Sequence, residues 1–381
     1  MIWVYWSVGL AALFYVFAIY SFLYHWQQTP VWCPPAAWSP EATRLTVIIP
    51  ARNEAENIKA CLFSIIQQDY PSTLYEIIVV DDHSTDETAA IVAAFRHPNV
   101  KLLSLSDYDL KTTNSYKKAA IELAIANAMG DFIVTTDADC IAPSRWLSHL
   151  VSFHELTGKG FIAAPVIFRS EGRLVEQFQA LDYAGMMLMT GAGIQGGYLS
   201  MSNGANLAYT KALFYGVDGF AGIRHLASGD DLLLVQKIME RYPETMGFVK
   251  SRAATVKSIP QRDWHSFLMQ RLRWAGKSAA YTDWVLLLIQ VVVFFTCVAI
   301  IGLLVLAPLV GMPFVLLGIG LLLVKTVGDY LLLRKAAAFF GQSHLMRIFP
   351  AAELIHTIYI AVVGGASLFV KKYEWKGRKV Q

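Results

Sequence analysis

The sequence predicts an α/β domain, with a mostly parallel sheet and helices on both of its faces, joined to transmembrane helices. Short β-branched runs alternate with segments of helical periodicity between Leu45 and Thr136, and that alternation is typical of a parallel sheet. The chain is 55% hydrophobic and only 16% charged, whereas soluble domains usually carry about 25% charged residues. Because the charges are missing from a few particular stretches, we attribute the deficit to membrane spans.

An N-terminal transmembrane anchor is predicted for residues 1–26. The chain carries no Asp, Glu, Lys or Arg before Glu41, and the apolar run Ile2–Tyr24 is as long as a spanning helix requires. A cleaved signal peptide would have a basic start and a small-residue cleavage site. Neither feature is present here, so we expect a retained anchor. Residues 27–43, rich in Pro and Trp, are predicted to be an interfacial linker.

Residues 44–260 are predicted to form the water-soluble domain. Apolar β-branched runs indicate buried strands, and apolar residues at helical spacing, such as Ile58, Leu62 and Ile65, indicate helices that pack against them. Such sheets bind ligands at the carboxyl ends of their strands, and polar clusters stand at those ends here. The predicted strands are Leu45–Ile49, Tyr75–Val80, Lys101–Ser104 and Phe132–Thr136, and the predicted helices are Ala55–Gln68, Glu87–Phe95 and Tyr116–Met129.

One polar cluster is the pair Asp137 and Asp139, directly after the fourth strand. Alternate residues of an extended chain point the same way, so the two carboxylates could share one cation. Mg²⁺ and Mn²⁺ prefer oxygen ligands, and Mg²⁺ often takes one or two carboxylates together with substrate phosphates. An ordinary turn capped by Asp is the alternative.

Two further clusters could contact a nucleotide. Asp81 and Asp82 end the second strand, where a carboxylate can accept the imide N–H of a uracil ring, although helix capping explains them equally well. Lys117 and Lys118 open the helix before the fourth strand. An ammonium group there could neutralise a diphosphate, although a solvated surface lysine is the commoner case.

A candidate general base lies in the pair Asp230 and Asp231, which precedes an apolar segment of helical character. One of these carboxylates could take a proton from an acceptor hydroxyl. Capping of the helix is the alternative for both residues.

Residues 261–282 are predicted to be an interfacial helix. Gln270, Arg273 and Trp274 are spaced i, i+3 and i+4, so one helix face carries all three. A guanidinium group binds phosphate in a bidentate manner, and an indole offers a flat surface for a sugar ring. Snorkelling arginines and an anchoring tryptophan at a membrane surface fit the same pattern.

Residues 283–381 are predicted to be a C-terminal membrane region with two to three hydrophobic segments and a basic tail. The run Trp284–Val324 has no charged residue and is long enough for two helices around a break that contains Pro and Gly. The third segment, Pro350–Val370, contains Glu353 and His356, which are costly in lipid. We therefore expect it to be re-entrant or interfacial, the alternative being a fourth span with an exported tail.

Charge and cysteine content argue against other classes of protein. A net charge of +3 is too small to indicate nucleic-acid binding. The four cysteines show no C-x-x-C spacing, which argues against a zinc site and fits a reduced compartment. Cys140, which follows the carboxylate pair, is expected to be a buried filler.

Five short motifs give the chain a family resemblance. It resembles the membrane-embedded family-2 inverting glycosyltransferases with a GT-A domain, in the processive-type or ceramide-glucosyltransferase-like branch with a Q-x-x-R-W signature. The motifs follow one another in the family's order over roughly Leu45 to Trp274. They are Pro50-Ala51-Arg52-Asn53-Glu54, Val80-Asp81-Asp82-His83-Ser84-Thr85-Asp86, Thr136-Asp137-Ala138-Asp139, Gly229-Asp230-Asp231 and Gln270-Arg271-Leu272-Arg273-Trp274.

The resemblance implies a role for each candidate residue. The donor, expected to be a UDP-sugar, would be held at its nucleotide by Pro50, Arg52, Glu54 and Asp82, with Asp81 beside them. Its diphosphate would be held by Lys117 and by a Mg²⁺ or Mn²⁺ ion on Asp137 and Asp139. Asp231 would be the catalytic base, and the groups in contact with acceptor or diphosphate would be Asp230, Gln270, Arg273 and Trp274. The loop Ser202–Asn206 would line the acceptor side.

The implied reaction is a single displacement that transfers a sugar, with inversion, to a lipid or glycan acceptor at the bilayer. A membrane-lipid acceptor is expected, because a synthase that extends and extrudes a polysaccharide would need more spans to line a channel. That synthase is the alternative, and a nucleotidyltransferase is a more distant one.

The catalytic domain is expected in the cytoplasm, at a bacterial inner membrane. The positive-inside tendency supports this orientation, because basic residues stand on the domain side of both spans of the hairpin. They are Arg262, Arg271, Arg273 and Lys277 before it, and Arg334, Lys335 and Arg347 after it.

Overall fold

A computed structural model describes residues 2–40, 43–108, 115–226, 229–276, 280–367, 369, 373–375 and 378–380. Within these residues the chain divides into two compact units. The membrane unit comprises residues 1–28, 170–199 and 260–371, and the sheet unit comprises residues 29–169, 200–259 and 372–381. Lys277, which was used above to argue topology, lies outside the described residues, as do Lys371, Lys372 and Lys376 of the basic tail.

The sheet unit is built on a seven-stranded sheet with the order β3-β2-β1-β4-β7-β5-β8. Its strands are β1 (Leu45–Ala51), β2 (Tyr75–Asp81), β3 (Val100–Ser104), β4 (Phe132–Thr135), β5 (Phe161–Ala163), β7 (Leu207–Thr210) and β8 (Met246–Phe248). All neighbouring pairs are parallel except those made by β7, which runs antiparallel to β4 and β5. The mostly parallel α/β fold is thus confirmed. Two small sheets pair β6 (Val166–Phe168) with β9 (Val256–Ser258) and β10 (Tyr373–Trp375) with β11 (Arg378–Val380).

Helices of the sheet unit cover the sheet with apolar faces. On α2, the residues Ile58, Cys61, Leu62 and Ile65 are buried, as their spacing predicts. The predicted start at Ala55 is wrong, because residues 55–57 form a turn closed by the Glu54 carbonyl. The helices are α2 (Ile58–Ile66), α3 (Thr88–Ala94), α4 (Tyr116–Asn127), α5 (Trp146–Thr157), α7 (Lys211–Gly216) and α8 (Asp230–Arg241).

The predicted linker packs on the sheet unit. The indole of Trp32 donates a hydrogen bond to Ser152 (3.1 Å), and that of Trp38 donates one to Glu155 (2.9 Å). Both acceptors lie on α5. These tryptophans therefore have partners within their own unit. The sequence, which indicated only a membrane interface, did not predict these contacts.

The membrane unit contains seven α-helices among its described residues. They are α1 (Ile2–Gln28), α6 (Leu174–Gly196), α9 (Trp264–Ala275), α10 (Trp284–Val305), α11 (Ala307–Val310), α12 (Met312–Phe339) and α13 (Phe349–Ser367). By length and composition, four segments of the described chain could cross a membrane: Ile2–Gln28, Trp284–Val305, Met312–Phe339 and Ser343–Ser367. The predicted break lies at Gly311, whose φ of +92° suits glycine.

Charged residues inside the membrane unit have partners. Lys325, fully buried on α12, donates hydrogen bonds to Asp329 (2.7 Å) and to Glu353 of α13 (2.8 Å). The hydroxyl of Tyr15, on α1, donates to the same Asp329. Glu353 therefore faces protein, which removes one objection to placing α13 in lipid. α13 is one continuous helix, and the expectation that this segment is re-entrant or interfacial, rather than a fourth span, stays a prediction.

Candidate active site

Two loops that leave the sheet side by side form the first part of the candidate site. Arg52, just after β1, donates hydrogen bonds to the carbonyls of Asp82 (2.8 Å) and His83 (2.9 Å), just after β2. The Asn53 side chain accepts a hydrogen bond from the Thr85 backbone N–H (2.8 Å). Asn53 and His83 both have positive φ, which turns the chain sharply at the two strand ends. Parallel pairing of β1 with β2 brings these predicted residues together.

The carboxylates at the end of β2 are buried. Asp81 is 6% and Asp82 is 3% exposed. Asp81 Oδ2 accepts a long hydrogen bond from the Ser84 N–H (3.3 Å), whereas Oδ1 is buried with no hydrogen-bond partner among the described residues. Because a buried acceptor is costly when unpaired, Asp81 Oδ1 is suited to an N–H donor from a ligand.

Glu54, in the first loop, makes hydrogen bonds to other residues of the protein. The Glu54 carboxylate accepts a hydrogen bond from the Asn57 side chain (2.8 Å), and its backbone N–H donates to Thr88 (2.8 Å). Pro50 lies within β1 and is half-buried. The Glu54 contacts hold the shape of the loop.

Asp137 and Asp139 follow β4, as predicted, but their described contacts differ. Lys117 donates a hydrogen bond to Asp137 Oδ1 (2.8 Å), and 37% of the Asp137 side chain is exposed. Asp139 Oδ2 accepts from the Ser258 hydroxyl (3.5 Å). The thiol of Cys140 donates to Asp139 Oδ1 (3.4 Å). Burial raises the pKa of that thiol well above its ordinary value, so Cys140 is the unreactive filler that was expected.

Lys117 lies between the carboxylates of two different elements. Besides Asp137, its Nζ lies 3.3 Å from Asp230 Oδ2, at the start of α8. Burial alone lowers the pKa of Lys117, but Asp137, Asp230 and Asp231 outweigh it and hold that pKa well above its ordinary value. The lysine is therefore a permanent positive charge among three acids. Its position agrees with a role at a diphosphate.

Asp231 is held by two backbone N–H groups. Its Oδ2 accepts from Gly204 (3.0 Å) and its Oδ1 from Leu232 (2.7 Å). A carboxylate oxygen has two lone pairs, so Asp231 can still accept a proton. The residue before the pair, Gly229, has a φ of +79°, which turns the chain into α8.

Gly204 belongs to the predicted acceptor-side loop Ser202–Asn206, and its closeness to the acids was not predicted. A Cβ on Gly204 would lie 3.3 Å from Asp230 Oδ2 and 3.4 Å from Lys117 Nζ. Its carbonyl also accepts a hydrogen bond from Thr135 at the end of β4 (2.8 Å). Only a residue without a side chain fits here without displacing a neighbour. No local sequence signal marks this contact, because the two segments are 27 residues apart.

The carboxylates after β4 suit a hard divalent cation whose other ligands come from a substrate. Asp137 and Asp139 offer carboxylate oxygens, and the described residues contain no group of three or more His, Cys, Asp and Glu placed for a metal. Mg²⁺ is commonly held in this way, by one or two carboxylates together with substrate phosphates. The residues therefore fit the expected Mg²⁺ or Mn²⁺ ion.

The remaining predicted residues lie on α9, in the membrane unit. Gln270, Arg273 and Trp274 are half-buried there, on a continuous helix as expected. The residue between them, Arg271, was predicted only as one of the basic residues before the hairpin, but it is 5% exposed and paired with Asp182. Asp182 is 89 residues away in sequence, so no local pattern identifies the pair.

Comparison with protein families gives a match for one part of the chain. Residues 46–222 match the family described as Glycosyl transferase family 2. This part, just under half of the chain, is similar to the family-2 glycosyltransferases, and it contains every predicted donor-side residue. The match ends before Asp231 and before the motif at residues 270–274.

Two relatives share part of the sequence. The chain is 34% identical over 110 residues to poly(ribitol-phosphate) β-N-acetylglucosaminyltransferase TarS of Staphylococcus aureus, which is 29% of this chain and 18% of that protein. It is 34% identical over 113 residues to dolichyl-phosphate β-glucosyltransferase ALG5C of Trichomonas vaginalis, which is 28% of this chain and 32% of that protein. The chain thus spans less than two thirds of the length of its relatives.

One solved structure resembles the chain over nearly its whole length. It is the mannosyltransferase PcManGT of Pyrobaculum calidifontis, in complex with GDP-Man and Mn²⁺. The TM-score is 0.58, the sequence identity is 19%, and 97% of each chain is covered. At this identity the resemblance concerns the fold alone.

Proposed function

We propose that this protein is an inverting glycosyltransferase that moves a sugar from a UDP-sugar to a hydroxyl group of a membrane lipid. The observation that carries the proposal is the cluster of Lys117, Asp137, Asp230 and Asp231. It combines a fixed cation for a leaving diphosphate with a carboxylate placed to act as a base. The membrane-embedded branch with the Q-x-x-R-W signature remains the branch that we favour.

The nucleotide is proposed to bind over the loops after β1 and β2. The free, buried Asp81 Oδ1 is the acceptor that a uracil imide N–H would need. Pro50, Arg52, Glu54 and Asp82 would shape and fix this pocket. Because the Arg52 contacts to Asp82 and His83 hold the two loops together, loss of Arg52 would loosen the whole subsite.

In the proposed reaction Asp231 takes the proton of the acceptor hydroxyl, while the oxygen of that hydroxyl forms a bond to the anomeric carbon. The bond from that carbon to the diphosphate oxygen breaks at the same time, and the electron pair leaves with the diphosphate. Lys117 stabilises the negative charge that builds up there. A divalent cation bound by Asp137 and Asp139 would supply further positive charge for the diphosphate.

A lipid acceptor is favoured by the four apolar segments of spanning length. The relative ALG5C, named for dolichyl phosphate, is consistent with an acceptor of this class. Gln270, Arg273 and Trp274 are proposed to contact the acceptor or diphosphate, with Asp230 beside the base. The sheet unit would then work on the cytoplasmic side, in keeping with the basic residues that flank the hairpin.

The test is transfer by the purified full-length protein in lipid nanodiscs. Radiolabelled UDP-sugars and a membrane-lipid extract should give a labelled, organic-soluble product of one added sugar. Asp231→Asn should lower the transfer rate by roughly 10² to 10⁴ and leave donor binding almost unchanged. Asp139→Ala should instead weaken metal-dependent donor binding. Glu240→Gln, an exposed acid on the same helix α8, is the matched control and should behave as wild type.

The main alternative is a small polysaccharide synthase, and the relative TarS, which is named for a polymer acceptor, favours a glycan. Labelled product that stays water-soluble and grows with time would support it. Normal turnover by Asp231→Asn would instead remove the base assignment, whichever acceptor is used.

The cytoplasmic orientation has a separate test. In sealed inner-membrane vesicles whose cytoplasmic face is outward, added protease should digest the sheet unit. Protection of that unit would show that it lies on the other side.

A further inference from the structure

The helix α9 carries a buried arginine within the motif at residues 270–274. Arg271 is 5% exposed, and its Nη2 lies 2.8 Å from Asp182 Oδ2 on α6. The Asp182 side chain is also mostly buried, with 10% exposed. A buried ion pair is costly compared with well-packed apolar residues. The pair by itself is therefore weak evidence for a purely stabilising role.

The guanidinium of Arg271 also stacks on aromatic rings. Its carbon lies 4.4 Å from the centroid of the Trp274 ring and 5.1 Å from that of Phe267. Nη1 adds a contact to the sulfur of Met186 (3.5 Å). A desolvated guanidinium over an indole is the stronger form of the cation–π interaction. One face of the Trp274 indole is thus covered by Arg271.

Only an arginine can make both contacts at once. Its planar group presents N–H donors in its plane, toward Asp182, while its flat side covers the indole. A lysine could keep the ion pair but could not stack in this way. The carboxylate fixes the guanidinium, and the guanidinium fixes the ring.

We propose that Arg271, oriented by Asp182, is a positioning residue that holds the Trp274 indole for the acceptor. The inference rests on the proposed function, in which Trp274 contacts the acceptor. The face of the Trp274 ring that Arg271 leaves uncovered would then determine which acceptor binds. Because residues of the sheet unit are proposed to bind the donor, the KM for the donor should not change.

The first test is Arg271→Lys in full-length protein in nanodiscs. The KM for the acceptor should rise by up to roughly thirtyfold, the size of a lost desolvated cation–π contact. The KM for the donor and the melting temperature should stay close to wild type. Asp182→Asn leaves the buried guanidinium without its counter-charge, so it should raise the acceptor KM in the same direction but also lower the melting temperature. Arg262→Lys, an exposed arginine of the same unit, is the matched control and should change nothing.

The second test asks whether the effect passes through Trp274. In a Trp274→Ala background, Arg271→Lys should cause no further rise in acceptor KM, because the ring that it positions is gone. An equal rise in both backgrounds would overturn the proposal and leave a structural role. A matching rise in donor KM would overturn it as well.

A spectroscopic readout keeps this inference separate from the proposed function. With 5-fluorotryptophan incorporated, the ¹⁹F resonance that disappears in Trp274→Phe should shift in Arg271→Lys while the other resonances stay in place. An unshifted resonance overturns the positioning role even if the enzyme is active. Absence of sugar transfer by the wild type, with the shift present, refutes the proposed function and supports the contact.

Discussion

Each unit of this protein holds a lysine between two carboxylates, and the two lysines differ in their exposure to solvent. Lys117 lies 2.8 Å from Asp137 and 3.3 Å from Asp230, and 26% of its side chain is exposed. Lys325 lies 2.7 Å from Asp329 and 2.8 Å from Glu353, and none of its side chain is exposed. The same set of charges is therefore open in the sheet unit and closed in the membrane unit.

Exposure determines what each cluster can do. A partly solvated ion pair contributes little to stability, so Lys117 can exchange Asp137 for an anionic ligand at small cost. A buried pair cannot give up a partner without leaving an uncompensated charge. Lys325 therefore joins α12 to α13, and Tyr15 adds α1 through Asp329. The open cluster is suited to binding and the closed one to assembly.

The largest effect is expected at the closed cluster. Lys325→Met leaves two buried carboxylates without their cation and should cost about 3–5 kcal/mol of folding stability. Thermal unfolding of the detergent-solubilised protein measures the loss. Lys335→Met, an exposed lysine on the same helix, should stay within about 0.5 kcal/mol of wild type. Similar melting of the two variants would show that Lys325 is not a structural joint.

The open cluster should show the reverse pattern. Lys117→Met should lower the rate of sugar transfer by roughly 10² to 10³, because a preorganised charge at the leaving group is lost. Its melting temperature should change little. Lys101→Met, an exposed lysine of the same unit, is the control for both measurements. A large fall in stability together with a small fall in rate would assign Lys117 to the fold.

Much of the fold could be predicted because its signals are local. The first four strands are apolar runs, and each lies within about two residues of its prediction. The strands β5, β7 and β8 were not predicted, because each has only three or four residues and is defined by partners far along the chain. The helix α12 continues past Val324, where the uncharged run ends, because Lys325 finds its counter-charges on both α12 and α13.

The candidate site divides in the same way. Parallel strands end at one edge of the sheet, so the sequence could predict which acids gather there. It could not predict that Gly204 would contact Asp231, or that Arg271 would turn inward to Asp182. Both contacts join distant segments, and a single glycine or arginine in a sequence does not show which residue it will meet.

A smaller effect is expected when only one acid of the closed cluster is removed. Glu353→Gln leaves Lys325 paired with Asp329, so one buried positive charge faces one buried negative charge. The loss of stability should be about 1 kcal/mol, near that of one hydrogen bond, and well below that of Lys325→Met. If Glu353→Gln is as damaging as Lys325→Met, the balance of charge is not what stabilises the cluster.

The smallest effect is expected at Asp86, an exposed acid that ties together the loops after β1 and β2. It accepts hydrogen bonds from the backbone N–H groups of Thr88 (3.0 Å) and Ala55 (3.1 Å). Slight burial acts to raise the pKa of Asp86, but the hydrogen bonds from Thr88 and Ala55 outweigh it and hold that pKa below its ordinary value. A lowered pKa means that the stabilisation is present above the ordinary value of about 3.9 and fades as the pH falls through the lower folded value.

Asp86→Ala should therefore cost about 0.5–1 kcal/mol at neutral pH, and the difference from wild type should shrink as the pH falls below about 3.9. Melting curves of both proteins across that range measure it. Glu87→Ala is the control, because Glu87 is exposed and its side chain caps no backbone N–H of α3. A difference that stayed constant down to low pH would mean that Asp86 acts through packing. The sheet unit, which holds the open cluster, would then depend less on charge than the comparison of the two lysines implies.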